Sequence, residues 1–348
     1  MNTFRTTPIE PIDLQAFDPT YDGGAGAAGV ELNTNVTTQA SLSAENKTFW
    51  DKALIVLAAP ELVHDQFAQM RDIPKGSGKT IEFRQFDPLP EITAPLTEGV
   101  TPDGQELSVR AATATVSQYG GYVTTSDVLD MTALDPVVQE ATRLIARQAG
   151  ETLDTITRDI VNAGTNVIYA AGTGARPTSR AALAYTSASS NNNLTVADVK
   201  LAVRTLKRQD APKIKGDYVA IIHPDVAFDL MRDPEWLSPK QYADPADLYS
   251  GEIGKLYGVR FIENTRAKIF RGAGADGVDV YSTLFLGDDA YGTTKVTGGG
   301  LQHIVKPLGS GGSSDPLDQR ATVGWKAFKT AKILVEQYMV RVESTATP

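Results

Sequence analysis

The residues of this chain that could do chemistry begin with KGSGKT at Lys75–Thr80. This looks like the end of a phosphate-binding loop, in which backbone amides and a lysine cradle phosphate oxygens. That mechanism needs a glycine five residues before Gly78, where Ile73 stands, and a helix opening at Thr80. TIEFRQF predicts a strand there, so a glycine turn before a strand is the better reading. GAGAAG at Gly24–Gly29 fits the dinucleotide pattern by letter, but no strand precedes it and no amphipathic helix follows. His64, His223 and His303 have no HxxH or HExxH spacing, and ordinary surface or core packing is expected for each. Asp288-Asp289 and the pair Asp315 and Asp318 sit by glycines, as turn and capping residues do. No catalytic or metal-ligating constellation emerges. The expectation is a protein without a cofactor that is not an enzyme.

One basic face remains. Lys200, Arg204, Lys207 and Arg208 line one side of a helix predicted over Thr195–Gln209, opposite Val196, Val199, Val203 and Leu206. A nucleic-acid stripe is one reading; a solvated face, or one meeting acidic groups on a neighbouring subunit, is preferred. The chain as a whole carries a net charge of −9. An acidic chain gains little from counterion release off a nucleic-acid backbone, which argues against a dedicated DNA-binding module.

Composition limits the other classes. With 348 residues, 41% of them hydrophobic, the chain can bury a proper core and is long enough for about two domains. It has no cysteine, so disulfides and thiolate metal sites are excluded, which suits a reducing cytoplasm. The first residues lack the basic start and apolar core of a signal peptide. The apolar run Ala53–Ala59 is far short of the roughly 20 residues of a spanning helix, so a soluble protein with no membrane partner is expected.

The elements that must position any site are legible in outline. Residues 1 to about 42 are rich in Thr, Asn, Gly and Ala and predict an extended arm. Over Ser43–Met70, Phe49, Trp50, Leu54, Leu57, Leu62 and Phe67 fall at mostly helical spacing, with a break or kink at Pro60. Thr80–Phe86 alternates as a one-sided strand, and Val109–Thr125 predicts a second strand-like segment interrupted by Gly120-Gly121. Between them, Asp87–Ser108 holds Pro88, Pro90, Pro95 and Pro102 with few core residues. It is an exposed loop or edge ribbon that needs another surface to lie on.

A long capped helix follows. Asp135 is a good N-cap, Pro136 suits the first helical position and Gly164 supplies the stop. Val137, Ala141, Leu144, Ile145, Leu153, Ile156 and Ile160 mark its apolar stripe, with Arg147–Glu151 and Asp154–Arg158 pairing on the opposite face. It is a strut roughly 40 Å long. Residues 165–194 predict loop. A unit with strands at Tyr218–His223, Val259–Glu263, Val278–Leu286 and Leu301–Val305 and a helix near Asp225–Met231 comes next. The tail Ala321–Glu343 ends in strand-like KILVEQYMVRVE. No βαβ rhythm and no internal repeat emerge, so the fold class is α+β.

That order of parts resembles the tailed-bacteriophage major capsid proteins of the Hong Kong phage fold, most nearly the family typified by the coliphage N-four major coat protein. The likeness is carried by SLSAENKTFWDKAL (Ser41–Leu54), PLTEGVTPDGQELS (Pro95–Ser108) and VSQYGGYVTTSDVLDM (Val116–Met131). The helix from Asp135 with its closing Asn162-Ala163-Gly164, GEIGKLYGVRFIENTRA (Gly251–Ala267) and GWKAFKTAKILVEQYMVRVES (Gly324–Ser344) carry it further. It spans nearly the whole chain after residue 40.

The resemblance implies an N-arm at 1–42, a helical segment of the peripheral domain at 43–78, and an extended loop with base strands at 79–125. It further implies a peripheral domain at 126–194 with spine helix 136–163, a mainly axial domain at 195–320, and a closing strand of the peripheral domain at 321–348. It implies a homo-oligomer of hexamers and pentamers forming an icosahedral shell around phage DNA, held without sequence-specific binding, in a virion assembled in the bacterial host cytoplasm. Portal and scaffolding proteins, and a decoration protein, are implied partners. Leu89, Ile92, Leu96 and Val100 are the inter-subunit contact residues expected in the loop. Lys75 and Lys79 lie at its base and not at its tip, which argues against crosslinking through them. An encapsulin-type compartment of the same fold is the alternative. A nucleotide-dependent enzyme using Lys79 is opposed by Ile73, and a tail or adhesion protein by the long helix.

Overall fold

The computed structural model describes residues 62–72, 79–86, 89–101, 103–132, 137–187, 190–236, 252–295, 301–310 and 315–348. In chain order the first strands are β1 (Gln69–Arg71), β2 (Thr80–Phe86), β3 (Val109–Thr115) and β4 (Ser117–Ser126), followed by α1 (Asp127–Thr132) and the long α2 (Val137–Val161). Short strands β5 (Val167–Tyr169), β6 (Tyr185–Ser187) and β7 (Ser190–Asn191) lead to α3 (Val196–Arg208). The segment 165–194 is therefore more structured than its small polar residues suggested. Next come β8 (Tyr218–Ile222), α4 (Pro224–Met231), β9 (Glu252–Leu256), β10 (Val259–Glu263), β11 (Ile269–Phe270) and β12 (Val280–Leu286). The chain closes with β13 (Tyr291–Thr294), β14 (Leu301–Lys306), β15 (Arg320–Lys329), β16 (Ala331–Ile333) and β17 (Met339–Ser344).

β2 and β3 form the hairpin that carries the ribbon, with Thr80 opposite Thr115 and Phe86 opposite Val109. The alternation holds: Ile81, Phe83 and Ala114 point inward and are buried. Val109–Thr125, however, is not one strand. The chain turns at Val116, whose N–H donates to the Lys79 carbonyl at 2.7 Å, and β4 leaves to pair with β15. Gly120 sits within β4, where a Cβ would stand 2.7 Å from the Trp325 carbonyl oxygen. The glycine permits close strand approach and does not interrupt the strand.

β14, β15 and β4 make an antiparallel sheet with α2 across one face. Ile145, Ala146, Ala149 and Leu153 of the helix pack on Leu301, Val323, Trp325 and Ala327. The 25 residues of α2 span about 38 Å at about 1.5 Å per residue, as expected of a strut. Asp135 and Pro136 lie outside the described residues. Leu144, assigned to the apolar stripe, is exposed, because the small Ala146 and Ala149 draw the sheet to their side of the helix. Gly164 does not act through a left-handed turn: a Cβ there would meet Met339 Cε at 2.8 Å, so its value is close packing.

The second sheet runs β5-β17-β12-β8-β10-β9, with β11 on β12. β8 and β10 are parallel and separated in sequence by α4, a crossover that the reading without a βαβ rhythm missed. α3 and α4 cover one face through Val199, Val203, Leu206, Val226 and Leu230. Val161 at the end of α2 packs on the other, with Ile221, Leu284 and Met339. α3 matches its expected bounds, with Thr195 as N-cap and a capping box to Asp198.

Two expectations are corrected at the chain's ends. The helical spacing of Ser43–Met70 runs partly outside the described residues. From Leu62 onward the chain forms turns, with Gln66 N–H on the Val63 carbonyl, and then β1. Tertiary contacts of His64, Asp65 and β1 override local propensity there. The tail is split: β15 joins the sheet under α2, while only Met339–Glu343 of KILVEQYMVRVE enters the larger sheet, in β17, after a 3-10 turn at Glu336–Tyr338. Among the described residues no helix is long and apolar enough to cross a membrane.

Candidate inter-subunit surface

The structure disperses the residues that could have done chemistry. Thr80 opens β2 and not a helix, and the Lys79 carbonyl accepts the Val116 N–H across the hairpin. Gly24–Gly29, Ile73, Lys75 and Gly78 lie outside the described residues. His223 caps α4, accepting the Asp225 N–H at 3.2 Å, with its ring 5.1 Å from that of Tyr281. His303 lies on β14. Asp289 adopts a left-handed turn after Asp288, and Asp315 accepts the Arg320 N–H at 2.8 Å, both turn roles as read. Among the described residues no group of three or more His, Asp or Glu could hold a metal ion.

One polar cluster was not anticipated. His64 donates its backbone N–H to Asp154 Oδ1 at 2.7 Å, and its ring Nδ1 lies 2.8 Å from Oδ2. Asp65 accepts the Thr157 hydroxyl at 2.7 Å and the Lys329 ammonium at 2.5 Å, while the Tyr291 hydroxyl donates to the His64 carbonyl. All six side chains are buried. Asp154 therefore faces inward and does not pair with Arg158, which holds Asp159 and the Arg266 carbonyl instead; Arg147–Glu151 forms as expected at 3.0 Å. Burial pushes the Lys329 ammonium down, against the pull of the Asp65 and Asp154 carboxylates, and pushes the Tyr291 phenol well up. Closed to solvent, this cluster can lock β13, β15 and α2 to the chain at His64–Asp65, but it cannot receive a substrate. Its one trace in the sequence is that Asp154 and Thr157 continue the inward spacing of Ala146, Ala149 and Leu153.

The ribbon is the opposite. Leu89–Thr101 and Asp103–Ser108 form no helix or strand. A turn at Thr97–Val100, with Gly99 at φ 77°, reverses the chain, and Gln105 Nε2 donates to the Pro90 carbonyl at 3.1 Å, joining the two limbs. Leu89, Ile92, Leu96 and Val100 are 50, 73, 75 and 63% exposed. Leu107 is exposed too and was overlooked, because it sits next to the base strand. Residues 87–108 carry Asp87, Glu91, Glu98, Asp103 and Glu106 and no lysine or arginine.

The sheet β14-β15-β4 offers a surface of the other character. On the face away from α2 a groove of about 730 Å³ has Gly120, Tyr122, Ile304 and Gly324 as its floor, with Lys306, Arg320 and Lys326 around them and one acid, Asp315. Tyr122 is exposed.

Comparison with known proteins agrees with this architecture. No curated protein matches the sequence. Among solved structures the chain is similar to the capsid of Ralstonia phage GP4, at 14% identity and a TM-score of 0.64, covering 81% of this chain and 88% of that one. It is similar to the cyanophage Pam1 capsid at 16% identity and a TM-score of 0.61, covering 93% and 100%. The head of Helicobacter pylori bacteriophage KHP40 matches at 11% identity and a TM-score of 0.58, covering 95% and 100%. These likenesses establish the fold. The family model described as phage capsid protein matches residues 110–341, well over half of the sequence. The chain belongs to the phage capsid protein family, and its role is structural: it is a major capsid shell protein.

Proposed function

We propose that this shell subunit has the Hong Kong phage fold in its N-four-like form, with residues 87–108 as the extended loop and α2 as the spine helix. In this reading 1–42 is the N-arm, 195–320 is mainly the axial domain with β17 in its sheet, and the parts around α2, with β14 and β15, form the peripheral domain. Hexamers and pentamers close an icosahedral shell around phage DNA, in the host cytoplasm, with portal, scaffolding and decoration proteins as partners.

The observation that carries the reading is the ribbon. Four apolar side chains stand at least half exposed on a segment with no core of its own. Full burial of each against a neighbouring copy contributes up to about 1.5–3 kcal/mol before ordering costs. Its acidic edge matches the basic rim of the groove on β14-β15-β4, so that groove on an adjacent copy is the receiving surface. Many weak contacts of this kind, closed by symmetry, suffice for a shell.

Sedimentation and negative-stain imaging of the purified protein, with its scaffold, test this. Closed shells or capsomers are expected, and DNA inside shells from infected cells separates a virion from a protein-cargo compartment. A compact monomer under every assembly condition overturns the reading.

A further inference from the structure

We infer that the cationic face of α3, together with Tyr257, is the surface this shell turns towards its genome, where it takes the phosphodiester backbone of duplex DNA without reading sequence. This rests on the proposal that the shell encloses DNA. Lys200, Arg204, Lys207 and Arg208 are all exposed and lie on successive turns, about 5.4 Å apart along the helix. Lys200 is 2.5 Å from Glu235 and 4.8 Å from the Tyr257 ring centroid. The side chains of Arg204, Lys207 and Arg208 have no hydrogen bond or ion pair among the described residues. In a chain with a net charge of −9, three adjacent cations without an acid among the described residues form a basic patch suited to an anionic partner. The helix dipole favours Lys207 and Arg208 in the last turn, but gives no reason for Arg204 in the turn before.

Tyr257 supplies the second observation. It holds φ at +52° in the turn between β9 and β10, a conformation rare for a bulky residue, and its ring is half exposed. It closes a groove of about 510 Å³ along the cationic face. Among the described residues of the groove, Tyr257 is the only large apolar side chain that is exposed. The acidic ribbon of a second copy, which must bury Leu89, Ile92, Leu96 and Val100, finds little to cover them here. Duplex DNA carries about one charge per 1.7 Å and asks only for cations, so it fits better.

The test uses the full-length chain and a short random-sequence DNA duplex, read by fluorescence anisotropy across a salt series, with shell yield measured on the same samples. Arg204→Gln, Lys207→Gln and Arg208→Gln combined should weaken duplex binding roughly tenfold and flatten the log–log salt slope by about 3, one for each phosphate no longer neutralised. The charge-retaining triple Arg204→Lys, Lys207→Arg, Arg208→Lys should bind as the wild type does. Both variants should still form shells. No duplex binding by the wild type, or equal binding by the neutralised variant, overturns the inference. So does a neutralised variant that binds DNA normally but no longer assembles, because the face is then a subunit contact. If no protein forms shells, the capsid architecture proposed above fails instead, and the duplex comparison still reads α3.

Discussion

In the ribbon, Leu89, Ile92, Leu96 and Val100 stand in solvent among carboxylates, while under α2 the charged Asp65, Asp154 and Lys329 are buried. Each region inverts the usual placement of side chains, and in opposite directions. The lock has its partners within the chain: Lys329 on Asp65, His64 on Asp154, Tyr291 on the His64 carbonyl. The ribbon has, among the described residues, little beyond its own internal turn and the Gln105 contact. The difference teaches where folding stops and assembly begins. A polar cluster whose charges are met within one subunit belongs to folding, even with His64 Nε2 left unbonded among the described residues. An apolar set that is incomplete within one subunit awaits another copy.

The comparison breaks most sharply at Lys329. Lys329→Met leaves the Asp65 carboxylate buried without its cation, and is expected to cost about 3–5 kcal/mol of subunit stability. A loss of that size in the unfolding free energy from urea titration checks it, and an unchanged midpoint and slope would show that the pair contributes nothing. Adding Asp65→Val to Lys329→Met should recover most of the loss, because Thr157 still has the Leu153 carbonyl to bond. His64→Phe should cost less, about 1.5–3 kcal/mol, since it removes one hydrogen bond to a charged group and keeps the backbone N–H on Asp154. Thermal midpoints of the two variants should fall in that order.

How much of this was legible depends on how local each signal was. Ile81 and Phe83 alternate within seven residues, and α3 announces itself by Thr195, Asp198 and four valine and leucine positions. The prolines and sparse apolar residues of the ribbon told that it has no core. The lock was hidden because its partners come from far along the chain: His64 meets Asp154 across 90 residues, and Lys329 meets Asp65 across 264. Four-residue spacing of Asp154 and Arg158 allows a pair but does not say which way the carboxylate turns, and the buried partners decided it. The break at Val116 was invisible for a related reason. Both halves of Val109–Thr125 are good strand, and only the separate partners β2 and β15 divide them.

Gly120→Val lies between the two extremes. A Cβ there stands 2.7 Å from the Trp325 carbonyl, so β4 and β15 must shift, at a cost of roughly 1–3 kcal/mol. Because this sheet carries both α2 and the proposed receiving groove, the variant should lose stability and assembly together. A variant that loses assembly at an unchanged thermal midpoint would separate the groove from the core behind it.

The smallest effect on the subunit, and the largest on the shell, is expected from the ribbon. Ile92→Ser and Leu96→Ser replace side chains already in water, so subunit stability should change by no more than about 0.5 kcal/mol. Removing Asp87–Ser108 altogether is the stronger form. Phe86 and Val109 are direct partners in the β2–β3 register, so an Asn-Gly pair placed between them closes a two-residue hairpin without disturbing Thr80–Thr115. Ile81, Phe83 and Ala114 would keep their cluster with Ala112, Val116 and Leu334, none of which lies in the deleted segment. A folded subunit with near-normal circular dichroism and no stable shells is therefore expected. Normal shells from the deletion would remove the ribbon from the inter-subunit contact. A subunit that fails to fold would place the ribbon within its own chain's core, and the contrast with the lock would disappear.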